Sequence, residues 1–216
     1  MKKMLKLAIC SCVLMTATLF AKDVINVQII FDNSGSMREN ADRGGSSKYE
    51  SGRKALMYIS QMLSVYSVAN VDTELKVGIT IFDGNEALSY MPTIMYNKET
   101  MRNAINKLPP PAANTPLGEA LTLAYDAIKK DASNGAKCHI FVITDGDENG
   151  KTRMENVIIG NASNVGLYFV AFNIEADRFV RLAKLGAKIT HAGNEKELMK
   201  EADTIFSKNI LLEREE

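Results

Sequence analysis

Along this chain, short runs of β-branched and aromatic residues alternate with longer stretches whose apolar positions recur at helical spacing. Val24 to Phe31 reads as a strand, and Tyr49 to Tyr66 sets Ala55, Leu56, Ile59, Leu63 and Tyr66 on one helical face. Glu74 to Phe82 is a second strand, Asp83-Gly84-Asn85 a turn, and Ala87 to Tyr96 a third strand that Pro92 assigns to a sheet edge. Lys98 to Leu108 predicts a short helix. A stiff loop, Pro109 to Pro111, follows, and then a helix from Pro116 to about Lys130 with Leu117, Ala120, Leu121, Ala124 and Ile128 aligned. Ala136 to Thr144 and Gly166 to Phe172 are nearly continuous apolar runs, as suits strands covered on both faces of a parallel sheet. A helix around Phe179, Leu182 and Leu185, a short strand Ala187 to Thr190, and a helix from Glu195 carrying Leu198, Ala202, Ile205 and Phe206 close the chain. The order predicts one α/β domain over residues 22–216: a doubly wound, mostly parallel sheet with one antiparallel edge strand and helices on both faces.

Residues 1–21 break the pattern. Lys2, Lys3 and Lys6 precede an uncharged apolar run from Leu7 to Phe20, and Ala21 ends it before Lys22, which is the plan of a secretory signal peptide. The run is short of the ~20 residues of a comfortable membrane span, so an exported product, periplasmic or secreted, is expected, without stable membrane insertion after cleavage. Leu19 is large for its place before the cut, which leaves cleavage after Ala17, or retention as an anchor, as alternatives. Removing residues 1–21 takes three lysines and no acid from 26 basic and 26 acidic residues, leaving 23 against 26 and a net charge of −3. That balance offers nucleic acid no basic footprint. Of three cysteines only Cys138 would remain; it lies in an apolar run and reads as a buried, inert thiol. The free protein is expected to be a monomer.

In open α/β sheets ligands bind beyond the carboxyl ends of the strands. There the first strand ends in Asp32-Asn33-Ser34-Gly35-Ser36, where an extended segment would point alternate oxygen side chains the same way; the loop before the long helix supplies Thr115; and the most apolar strand ends in Thr144-Asp145-Gly146-Asp147. Carboxylates and hydroxyls without His or thiolate form a hard-oxygen set, suited to Mg²⁺, Mn²⁺ or Ca²⁺ rather than Zn²⁺. Taken singly, each has a plainer use: Thr115 before Pro116 suits a helix N-cap, and a Ser or Asp at a strand end often closes a turn.

Taken together, these residues resemble the von Willebrand factor A domain family, with its metal-ion-dependent adhesion site. The family's Asp-x-Ser-x-Ser is matched by Asp32, Ser34 and Ser36, its loop threonine by Thr115 in Asn-Thr-Pro-Leu-Gly-Glu-Ala-Leu, and its strand-end aspartate by Asp145 in Ile-Thr-Asp-Gly. The phrasing is similar to that of bacterial members, and the resemblance spans about residues 23 to 212. It implies that Ser34 and Ser36 ligate the ion, that Asp32 and Asp145 neutralise it directly or through waters, and that Thr115 ligates in one of two metal positions. An open coordination position could then take a carboxylate of a partner protein, making this a binding module of adhesion or assembly type rather than an enzyme. The connection Met37 to Ser47 is longer than the family leads one to expect, and Met37, Arg38, Asp147 and Glu148 are the candidate partner-binding rim.

Two competitors remain. Asp145-Gly146-Asp147-Glu148-Asn149-Gly150 meets the first six positions of an EF-hand calcium loop over 145–156, but the twelfth is Asn156, with Glu155 one place early. A Mg²⁺-dependent hydrolase would want a general base near the metal, whereas His139 stands near the start of its strand and His191 on a peripheral one.

Overall fold

The computed structural model describes residues 22–41, 45–146, 148–161 and 164–212, so the proposed leader at 1–21 and the candidate rim residue Asp147 lie outside the described residues. Among the described residues six strands form one sheet: β1 (Asp23–Phe31), β2 (Thr73–Asp83), β3 (Glu86–Met95), β4 (Lys137–Thr144), β5 (Val165–Phe172) and β6 (Lys188–Ala192), in the spatial order β3-β2-β1-β4-β5-β6. Every neighbouring pair is parallel except β2 and β3, an antiparallel hairpin turned at Gly84, whose φ of 60° explains the glycine. The expected edge strand is therefore in place, and the β2–β3 register shifts at Ile79, opposite the stretch that contains Pro92.

Side-chain alternation along β1 divides the core. Ile25, Val27, Ile29 and Phe31 face the layer of α1 (Lys48–Ala69), α2 (Lys98–Asn106) and α6 (Glu195–Ile205), where Leu56, Ile59, Met101, Ile105, Leu198 and Ala202 cover them. Ile30 with Ile140, Val142 and Phe169 faces α3 (Leu117–Ser133), α4 (Met154–Ile159) and α5 (Val180–Lys184). All five apolar positions read onto the α3 face are buried. The α3 side of the sheet also holds a polar network at the amino ends of the strands: Gln28 Nε2 donates to Asn26 Oδ1 (2.7 Å), and Asn26 Nδ2 and Lys76 Nζ both donate to Asp131. Each buried polar group there has a partner, so it contributes specificity without an orphan's penalty.

Three elements differ from the expectation. The six-residue α4 was not predicted, because it buries only Met154 and Val157 and so shows less than one helical repeat. The segment around Phe179 splits into a 3-10 turn, Ala176–Phe179, and α5. The last strand runs Lys188–Ala192, two residues later than predicted at its end. No helix among the described residues is long and apolar enough to cross a membrane.

Candidate functional site

The chain leaves β1 toward β2 on one side and reaches β4 on the other, so the β1/β4 boundary is where the sheet order reverses and where a crevice opens at the strands' carboxyl ends. Asp32 and Asp145, the residues immediately following these two strands, meet there. The Asp32 N–H donates to the Ile143 carbonyl (3.0 Å), carrying the β1–β4 ladder one step further and fixing Asp32 in the crevice, where it is fully buried. Asp32 Oδ1 accepts from the Ser34 N–H (2.7 Å) and Oδ2 from the Thr144 hydroxyl (2.6 Å).

The segment after Asp32 stays extended only as far as Ser34, which bridges to Ala113, and not through Ser36 as expected. Gly35–Arg38 is a 3-10 turn, with the Met37 N–H donating to the Ser34 carbonyl. The turn achieves by curvature what was expected from extension: Ser34 Oγ and Ser36 Oγ stand 3.0 Å apart, and Ser36 Oγ donates to Asp145 Oδ1 at 2.8 Å. It also drives Met37 inward to full burial, within reach of Gly52 in α1, so Met37 is a core residue and cannot belong to an exposed rim. Arg38 is exposed and donates from Nε to the Pro111 carbonyl.

Thr115 is held from two sides. Its loop is pinned to the motif by the Gly35 N–H donating to the Ala113 carbonyl, and its N–H donates to Asn149 Oδ1 (2.6 Å) while the Asn149 N–H donates to its carbonyl. The N-cap of α3 is Pro116, without a side-chain cap, so capping is not what Thr115 does. A Cβ added at Gly146 would lie 3.3 Å from Thr115 Oγ1 and 3.9 Å from Asp32 Oδ2; the two oxygens thus flank one point, and the glycine keeps it open.

All five predicted residues are therefore gathered at the crevice mouth. They form two carboxylates and three hydroxyls, hard oxygen donors of the kind that suits Mg²⁺, Mn²⁺ or Ca²⁺. Among the described residues Asp32 has hydroxyl and amide donors, and burial, with a further push from Asp145, raises its carboxyl to about 6. A buried carboxylate without a cation partner among the described residues fits a bound metal. A cation does touch its neighbour: Lys48 Nζ donates to Asp145 Oδ2 at 2.8 Å and to Glu39 Oε2 at 2.9 Å.

Lys48, Asn33 and Thr144 were not read from the sequence. Asn33 occupies an unassigned position of the motif, yet its amide accepts from the Phe82 N–H (2.7 Å) and donates to the Phe82 carbonyl (3.0 Å), serving as one more rung between β1 and β2. Beside the site, Asn33, Phe82, Leu88, Tyr90, Pro109 and Ala113 line a groove of about 540 Å³. The calcium-loop candidates diverge: Asp145 turns to Ser36 and Lys48, Asn149 to Thr115, and Glu148 to the Gly150 N–H. Glu148 is half-buried, and burial pushes its carboxyl to about 7, so it is not the fully charged surface acid that a rim would present. His139 lies at the opposite end of β4, and His191 on edge strand β6 has its Nδ1 2.7 Å from the Ile174 carbonyl.

A sequence profile described as von Willebrand factor type A domain matches residues 27–148, more than half of the chain and a span that includes all five site residues. The chain belongs to the von Willebrand factor type A family. A search of curated protein sequences finds no match. Among solved structures, this A domain is similar to the PilB minor pilin of Streptococcus sanguinis (15% identity, TM-score 0.67, covering 86% of this chain and 60% of the pilin). It is also similar to the pilus adhesin SpaC of Lactobacillus rhamnosus GG (13%, TM-score 0.69, 88% and 31%) and to BatB of Bacteroides thetaiotaomicron (18%, TM-score 0.63, 84% and 98%). The chain thus spans less than two thirds of the pilin and about a third of the adhesin, and at these identities the likeness is one of fold.

Proposed function

We propose that this A domain is a divalent-metal-dependent protein-binding module of the cell envelope, exported by residues 1–21 and acting in adhesion or assembly rather than catalysis. The observation that carries the reading is the convergence of Asp32, Ser34, Ser36, Thr115 and Asp145 at the point where the sheet order reverses. These residues would hold Mg²⁺, or Mn²⁺ or Ca²⁺ in its place, and the ion would supply a Lewis-acidic position for a carboxylate of the partner. The chain's own part is to fix the donors: Thr144 and the Ser34 amide orient Asp32, Asn149 orients Thr115, and the 3-10 turn sets the serine pair. The groove beside Asn33 and Tyr90 gives apolar surface next to that position, where neighbouring side chains of the partner would add affinity and selectivity. The occurrence of this fold in a minor pilin and a pilus adhesin supports an extracellular binding role.

Affinity capture from native envelope extract tests the proposal. Partner retention is expected with Mg²⁺, to vanish in chelator, and to drop at least tenfold with Ser34→Ala or Thr115→Ala protein of unchanged circular dichroism. Retention that persists in chelator and in both variants would place the binding surface elsewhere.

A further inference from the structure

Lys48 is the first residue of α1, the end of a helix where the macrodipole disfavours a cation, and a lysine in the interior is costly unless it is paired. Its side chain is nevertheless only 7% exposed. It is held by two acids of opposite situation: Asp145, whose side chain is wholly buried, and Glu39, whose side chain is 70% exposed. The backbone ties the outer pair together, since the Lys48 N–H donates to the Glu39 carbonyl at 2.8 Å, and the Asn40–Ser47 bridge closes the excursion between them. Both oxygens of Asp145 are thereby engaged, Oδ1 by Ser36 and Oδ2 by Lys48.

Resting on the metal reading above, we propose that Lys48 is the resident counter-cation of this site and sets its metal affinity: its ammonium occupies an Asp145 oxygen, and metal entry releases it from Asp145 to the Glu39 carboxylate that it already contacts. Charge arithmetic supports this. Asp32 and Asp145 with Lys48 carry −1, which keeps the metal-free crevice from holding two uncompensated carboxylates; adding a divalent ion takes the same group to +1, a surplus that favours an anionic ligand. Binding of the ion is correspondingly weaker than the five oxygens alone would give. Glu39, exposed and 2.9 Å from the ammonium, is the outward partner that retains it once Asp145 turns to the ion.

The test is titration of Mn²⁺ into the purified protein and its variants, read by Mn²⁺ electron paramagnetic resonance, with melting temperatures in chelator alongside. Lys48→Met should bind Mn²⁺ at least tenfold more tightly than the parent and melt lower in chelator, with the deficit closed by saturating Mn²⁺. Glu39→Gln, an exposed change that leaves the core alone, should bind Mn²⁺ several-fold more weakly. Should Lys48→Met fail to fold, the Glu39→Gln arm still decides. Mn²⁺ binding by the parent that is unchanged in either variant would overturn the inference and leave the metal reading standing. An absence of binding in the parent and in both variants would overturn the metal reading and the inference with it.

Discussion

Asn33 shows how much a single side chain does here: its amide is paired on both sides with the Phe82 backbone inside the protein. Asn33→Ala would leave a buried N–H and C=O without partners, and we expect a loss of about 2–3 kcal/mol in chemical denaturation. His139 carries a prediction in pH. Burial first, then Lys137 and Lys188, lower it from 6.5 to about 4, and neither ring nitrogen has a hydrogen-bond partner among the described residues. Between these values the unfolded chain binds the extra proton, so this histidine's contribution is intact above pH 6.5 and is lost as the pH falls toward 4, by on the order of 3 kcal/mol. Asp32 runs the other way: its raised value favours the fold below its ordinary 3.8 and costs stability as the pH rises through about 6. The informative quantity is therefore the stability difference between the parent and His139→Phe. It should change steadily between pH 4 and 6.5, and a flat difference would contradict the buried, neutral assignment. At this scale the motif residues were legible because their oxygen chemistry and spacing stand out in one dimension. Lys48 was not, since nothing local distinguishes a lysine that opens a helix and turns inward from one that points to solvent.

Elements were read well where they are long. The apolar stripes of α1 and α3 repeat over several turns, and the runs of β4 and β5 could only be strands covered on both faces. The 3-10 turn at Gly35–Arg38 escaped because four residues carry no period, and with it went the burial of Met37. The start of α3 packs closely on the segment after β4: a Cβ at Gly118 would lie only 1.9 Å from the Thr152 carbonyl oxygen. Backbone cannot yield as a flexible side chain can, so Gly118→Ala should force α3 away from that segment. Because Thr115 lies on the same approach, the expected result is a loss of about 2 kcal/mol or more together with weaker metal binding. Thermal melts with and without Mg²⁺ check both; a variant as stable as the parent would show that the contact is not tight in solution.

For the molecule as a whole, family and fold were legible because three separated segments, after β1, before α3 and after β4, carry matched chemistry that only this topology brings together. What the one-dimensional pattern could not provide was how the residues around the crevice are tied together, since Arg38 reaches the Pro111 carbonyl and Lys48 reaches both Glu39 and Asp145 only in the folded chain. Whether the five oxygens form one metal centre is decided by calorimetric titration of Mg²⁺ or Mn²⁺ into the purified protein. A single site per chain is expected, abolished by Asp32→Ala and by Asp145→Ala and retained in Asn149→Ala. Undiminished binding in Asp32→Ala and Asp145→Ala, or equal losses in Asp145→Ala and Asn149→Ala with a preference for Ca²⁺, would contradict it.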